Sequence, residues 1–263
     1  MKEYGISHAP CVGLMEPNSY NLLLVEAPSV AATELKAAVR WRIKDLIDFH
    51  IDDAVIDVFD IPGQGQLGRP RMMYVVVSRA SLVQAYIQRA QEAKLHLSVI
   101  DIPELALRNI AALLPEDHNG VALLHFTQHG GYITLTRQAS LFLTRTLETG
   151  LDVLQQGINA SSAGDALHPT LQRGLDSIIL EIQRSLDYYE SHYTQPPITH
   201  LVITPLEKDL SAVVDYLTAN LGITVRQLDL NQTLLCDPPL SKTLQARCLL
   251  SIGAALRSEL RSL

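Results

Sequence analysis

The sequence predicts an α/β chain made of two compact units, each an α+β arrangement, on three observations. A length of 263 residues, 47% hydrophobic and 19% charged, is enough to bury two cores. Short apolar runs and helical stripes follow one another in the order βαββαβ over residues 18 to 102. From residue 121 a three-strand meander gives way to alternating helices and strands.

Each element has a local cause. Tyr20 to Pro28 reads as a buried strand around Leu22-Leu23-Leu24-Val25, closed by Pro28. Leu35, Val39, Ile43, Leu46 and Ile47 then recur at helical spacing from Glu34 to about Asp48, with Thr33 as the N-cap. Val55 to Ile61 and Met72 to Ser78 are strands joined by the loop Pro62 to Pro70. Ser81 to Lys94 is a second amphipathic helix, and Leu97 to Ile102 is the next strand. The expected product is one small sheet with both helices on one side.

A helix at Glu104 to Leu114 and a turn at Glu116 to Gly120 lead into the meander: Val121 to Thr127, Tyr132 to Arg137 and Leu141 to Thr146. Leu147 to about Gln156 reads as a helix, Asn159 to Pro169 as a mobile loop, and Leu171 to His192 as a long helix stopped by Pro196-Pro197. Strands at His200 to Thr204 and Thr224 to Leu228 flank a helix at Asp209 to Leu221 that Gly222 ends. The last helix, Leu240 to Ser262, holds Gly253-Ala254-Ala255, small enough for a neighbouring backbone to approach.

A formal net charge of -7 with no clustered Lys/Arg excess argues against nucleic-acid binding. The first residues lack the apolar core of a signal peptide, and no later apolar run approaches the roughly 20 residues that span a bilayer, so a cytoplasmic protein without membrane insertion is expected. Cys11, Cys236 and Cys248 are odd in number and have no Cys-x-x-Cys spacing, which leaves buried reduced thiols as the reading.

Gly63-Gln64-Gly65-Gln66-Leu67-Gly68 spells a dinucleotide fingerprint, but Arg69-Pro70 and a strand follow where a helix must open, so it reads as a hairpin loop. His125 and His129 sit in a strand-and-turn pattern with no carboxylate or cysteine at ligand spacing; they read as turn or sheet-end histidines, with no metal site. No nucleophile elbow, phosphate loop or acid-base pair of carboxylates is present, so no catalytic residue is named. Trp41 lies off the main stripe of its helix, where the indole is expected to finish a core edge rather than anchor a partner.

Arg40-Trp41-Arg42-Ile43-Lys44-Asp45-Leu46-Ile47-Asp48-Phe49, followed by Asp52-Asp53-Ala54-Val55-Ile56-Asp57, resembles the PilM-type actin-like proteins, most closely the MshI branch of mannose-sensitive haemagglutinin (MSHA) pilus biogenesis. Glu181-Ile182-Gln183-Arg184-Ser185-Leu186-Asp187-Tyr188-Tyr189 resembles the family's second signature, and Leu249 to Arg257 its last helix. The resemblance implies an actin-like ATPase (ribonuclease H-like) fold, in this order: an N-terminal segment at 1–17; a βαββαβ 1C-type subdomain at 18–102; a linking helix of the first lobe at 103–120; a second lobe at 121–239; and a C-terminal helix at 240–263 packing back on the first lobe. The family's first phosphate hairpin maps before residue 1, so the chain reads as N-terminally truncated, a piece of a longer protein or a shortened member.

The second phosphate hairpin maps onto Leu124 to Thr134, where relatives carry Asp at the place of His125 and Gly at that of Thr127. Pro205-Leu206-Glu207-Lys208-Asp209 stands where the resemblance implies a glycine-rich adenosine loop. Glu181, Arg184, Gly130 and Gly131 remain as the candidate ATP contacts, with ATP and Mg²⁺ as the ligands they would serve.

The resemblance therefore implies a pseudo-ATPase scaffold, not an enzyme, peripheral to the inner membrane. Its partner would be the cytoplasmic tail of a PilN-like inner-membrane protein, with Trp41, Lys44 and Phe49 lining the groove. A nucleotide-gated actin-like ATPase and a type II secretion platform domain are the alternatives, and a homodimer stays open.

Overall fold

Met-Met-Tyr-Val-Val-Val-Ser-Arg is apolar and β-branched enough to be buried on both faces, and as strand β4 (Met72–Arg79) it becomes the spine of the first unit. A computed structural model describes residues 9–64, 70–160, 168–207 and 211–258. They fall into two compact units, Met1–Pro103 and Glu104–Leu263.

In the first unit, β2 (Asn21–Glu26) and β3 (Ala54–Asp60) both pair antiparallel with β4, giving the order β2-β4-β3. Helix α1 (Ala32–Ile43) buries Val39 and Ile43 against Val25, Val58, Met73, Val75 and Val77. Helix α2 (Ala80–Glu92) contributes nothing to that cluster, buries only Ala90, and contacts β3 and β4 as well as the following strand. Strand β5 (His96–Asp101) does not join this sheet. It pairs in parallel with β1 (Pro10–Leu14), a strand that sequence reading missed because its five residues include a proline and a glycine and show no alternation.

Three further expectations change in α1. Its N-cap is Ala31, with no side-chain bond, rather than Thr33. The helix ends at Ile43, where the Leu46 N–H bonds the Ile43 carbonyl in a tighter turn, so Leu46 lies beyond the stripe and is 57% exposed. Trp41 sits two residues from both buried positions and therefore on the opposite face; at 74% exposure it is no core-edge residue. Gly63 opens the β3–β4 connection with φ +71, and the rest of the fingerprint, Gly65 to Gly68, lies outside the described residues.

The second unit is a five-stranded sheet in the order β10-β9-β6-β7-β8. Strands β6 (Val121–Phe126), β7 (Gly131–Arg137) and β8 (Ser140–Leu147) form the antiparallel meander, while β9 (His200–Ile203) and β10 (Thr224–Gln227) run parallel to β6. Every residue of β6 and β7 is buried; β6 is apolar apart from His125, whereas β7 buries Thr134 and Thr136 in alternation with Ile133 and Leu135.

One face of this sheet is covered by α3 (Pro103–Ala111) and α7 (Lys242–Ala255), which meet where Gly253 rests on the Ala106 backbone; the Asn109 side chain donates to the Gly253 carbonyl at 2.8 Å. The small-residue segment read from the sequence has this packing as its cause. Helix α5 (Pro169–His192) buries Leu171, Leu175, Ile178, Ile182 and Tyr189 at helical spacing and packs on β7 and β8, flanked by α4 (Leu151–Ala160) and α6 (Ser211–Leu221). Helix α4 starts four residues later than expected, because β8 continues to Leu147. Helix α7 starts with a Ser241 cap and stops at Ala255, short of the expected Ser262.

The β7–β8 turn is two residues, Gln138 and Ala139, both left-handed at φ 50 and 58. Such a turn favours Asn-Gly, and here Asp117 holds it instead. The Asp117 carboxylate accepts from Thr136 Oγ1 and the Ala139 N–H, both at 2.6 Å, and its carbonyl accepts from the Gln138 N–H at 2.8 Å. Asp117→Ala is expected to cost about 2–3 kcal/mol by leaving the Thr136 hydroxyl and the Ala139 N–H unpaired. Gln138→Asn with Ala139→Gly is expected to gain about 1 kcal/mol. Urea midpoints at constant slope check both.

Candidate functional site

The tip joining β6 to β7 is Thr127-Gln128-His129-Gly130, closed by a Thr127 N–H to Gly130 carbonyl bond of 2.9 Å. The first N–H groups of a helix lack partners within the helix and commonly hold an anion. In α4 the tip takes that place: the Leu151 N–H donates to the Thr127 carbonyl and the Asp152 N–H to the Gln128 carbonyl, each at 3.0 Å. Above these bonds His129 Nδ1 lies 2.9 Å from Asp152 Oδ2, and this bond is the main cause that lowers the Asp152 pKa. The chain fold thus brings a carboxylate to His129 that linear spacing did not reveal.

Gly130 and Gly131 belong to the same contact. A Cβ at Gly130 would press on the Leu147 carbonyl, one at Gly131 on the His125 carbonyl, and one at Gly150 on the tip backbone. Close approach of chain to chain accounts for all three glycines.

His125 is the penultimate residue of β6, at the strand end as read, but it is buried, at 8% exposure. Its Nδ1 is 3.0 Å from Oγ1 of the fully buried Thr204, and its ring stacks with Tyr132 at a centroid distance of 6.3 Å. Burial alone pushes its pKa down to about 4, so the ring is neutral at physiological pH. Burial, and then Glu104, raises that of Tyr132. After β9, Pro205 and Leu206 are buried and Glu207 is exposed and pairs with Arg247, while Lys208 and Asp209 lie outside the described residues.

Glu181 and Arg184 form a 2.6 Å ion pair on α5, with Arg145 of β8 4.0 Å from the other Glu181 oxygen and stacked over Tyr188. The pair sits seven residues, about 10 Å of helix, beyond Gly174, where an added Cβ would meet the Thr149 methyl. The geometry makes it part of a surface network linking α5 to β8.

In the first unit Trp41 and Lys44 come together, with Lys44 Nζ 5.7 Å from the indole centroid. Phe49 is different: it is half-buried, packs against the cluster under α1, and carries the Arg79 guanidinium 4.5 Å above its ring. Arg79 also reaches Asp48 at 3.2 Å, and Arg40 donates to the Ile51 carbonyl at 2.6 Å, fixing the turn that follows Phe49. Among the described residues no group of three His, Cys, Asp or Glu side chains is arranged to hold a metal, and no helix is long and apolar enough to cross a membrane.

Thr204 and Asp152 were not singled out from sequence. The available signal was local: an acidic residue in the first turn of a helix after Gly150.

No family model matches this chain, and no curated protein matches it. Solved structures do. The chain is similar to the PilM-PilN type IV pilus biogenesis complex, with a TM-score of 0.70 at 19% identity over 93% of this chain and 78% of that one. A Bacteroides thetaiotaomicron protein with an actin-like ATPase fold and unknown function matches at TM-score 0.48 and 8% identity, over 95% and 79%. The cytoplasmic domain of EpsL, an inner-membrane component of the type II secretion system of Vibrio cholerae, matches at 0.44 and 14%, over 97% and 80%. The chain has the actin-like ATPase fold.

Proposed function

We propose that this chain is a pseudo-ATPase scaffold of a type IV pilus assembly platform of the MSHA type. It works at the cytoplasmic face of the inner membrane by docking the tail of a PilN-like protein. The observation that carries the reading is the hairpin between β6 and β7. An active cleft needs a carboxylate there to hold Mg²⁺ through water, and this chain presents a buried, neutral imidazole bonded to Thr204. The first N–H groups of α4, Leu151 and Asp152, already donate to carbonyls of the tip, so they are not open to a phosphate. The similarity to a PilM-PilN complex supports the choice of partner.

Trp41 and Lys44 are the partner-binding residues in this reading. An exposed indole beside an ammonium offers a large, rigid contact that a tail peptide can desolvate. Phe49 supports them from the core side rather than touching the peptide alone.

Titration calorimetry of this chain against ATP with Mg²⁺, and against the cytoplasmic tail peptide of a PilN-like protein, tests the proposal. Peptide binding without ATP binding is expected; micromolar ATP binding would overturn the pseudo-ATPase assignment and leave a nucleotide-gated protein. Trp41→Ala is expected to weaken the peptide by about 10- to 100-fold with stability unchanged within about 0.5 kcal/mol. Unchanged affinity would remove Trp41 from the site.

The neutral state of His125 has its own signature. Above pH 6.5 the ring is uncharged folded and unfolded, and its full contribution to stability is present. As pH falls from 6.5 toward 4 only the unfolded chain takes up the proton, so up to about 3 kcal/mol is lost. His125→Gln is expected to flatten the fall in urea midpoint between pH 7 and pH 4.5 relative to wild type.

A further inference from the structure

Helix α1 has a second stripe behind the one it buries. Leu35, Val39 and Ile43 face the core of the first unit, while Glu34, Ala37, Ala38, Trp41 and Lys44 recur at helical spacing on the opposite side. All of these except the half-buried Ala38 are exposed. Lys44, the C-cap, keeps helical backbone angles (φ -54, ψ -33), so the stripe runs through it. Its two ends carry opposite charges. Among the described residues Lys36 pairs with Asp57, Arg42 pairs with Glu26, and Arg40 donates to the Ile51 carbonyl, whereas Glu34 and Lys44 are in no ion pair. Lys44 has only the indole, 5.7 Å away, a contact weak enough to exchange for a carboxylate.

This order of features complements itself when reversed. With α1 of a second copy laid antiparallel and centred on Val39, Glu34 stands opposite the partner's Lys44 and Ala37 opposite the partner's Trp41. A twofold axis repeats both pairs at the other end. The alanines let the helix axes come close, and each indole covers the step they leave. Other arrangements lose the match. A parallel arrangement sets Glu34 level with Glu34, and sliding the antiparallel pair by one turn sets Trp41 against Trp41 and Lys44 against Ala38.

We propose that the outward stripe of α1 is a homodimer contact, in which two copies of the chain pair antiparallel through Trp41 on Ala37 and through two Glu34–Lys44 ion pairs. One helix face is a small interface, so the dimer is weak and reversible. Trp41 and Lys44 also carry the proposed tail contact, so on that reading the tail and a second copy compete for one surface.

The test uses the full chain alone, with no tail peptide, so its failure leaves tail docking untouched. Sedimentation velocity from about 10 μM to about 1 mM, the range for an interface of this class, is expected to show a monomer–dimer equilibrium. Trp41 is the only tryptophan, so its emission should shift to the blue over the same range. Glu34→Lys and Lys44→Glu are each expected to weaken the dimer about tenfold or more, since each sets like charges together at both ends. Mixing the two variants restores both ion pairs and should restore association, as should the double variant Glu34→Lys with Lys44→Glu. A monomer throughout, or a dimer indifferent to both reversals, would overturn the proposal. So would two weakened variants that do not rescue each other, or Trp41 emission already that of a buried indole at the lowest concentration, which would mean that the same chain covers the stripe.

Discussion

Strand β6 is hydrogen-bonded along both edges and buried on both faces, and the second unit is organised around that constraint. A strand in this position has no room for an unpaired polar group. Five of its six residues are apolar, and the sixth, His125, gives up its charge and takes Thr204 as partner. The switch from antiparallel pairing with β7 to parallel pairing with β9 also occurs across β6. Both the hairpin tip and the buried segment after β9 therefore emerge at the same end of the sheet.

At that end the chain closes on itself. Glycines at a hairpin tip suggest space left for a ligand, yet here each glycine is filled against by another part of the chain. The N-terminus of α4 likewise has the geometry of an anion site with its donors already spent on Thr127 and Gln128. The His129–Asp152 contact lies on the solvent side of this junction and adds little by itself, being largely exposed. The backbone bonds and the close glycine packing hold the tip.

Much of the second unit was legible in the sequence because its signals are local. A nearly continuous apolar run marked β6, Gly222 marked the end of α6, and Gly253 marked a close helix crossing. In the first unit the evidence that mattered was non-local. β1 has too few residues to show a period, and only its register with β5 makes it a strand. Leu46 fits a helical stripe on paper but lies past the point where α1 turns at Ile43. Trp41 was read as lying off the stripe at a core edge, whereas its place two residues from both Val39 and Ile43 puts it on the opposite face. The partners of His125 and His129, 79 and 23 residues away, could not be found by spacing at all.

One side chain near the end of β3 has a practical meaning. Gln64 donates to the carbonyls of Ile61 and Met72 and accepts from the Met72 N–H, at 2.9, 2.7 and 2.6 Å. The two strands are thus stitched together before their connection begins. Ring-closure entropy grows only with the logarithm of loop length, so extra residues added after this stitch would load the sheet very little. The connection between Gln64 and Pro70 is accordingly the place in the first unit to insert an epitope or a fluorescent reporter while leaving the Trp41 surface as it is.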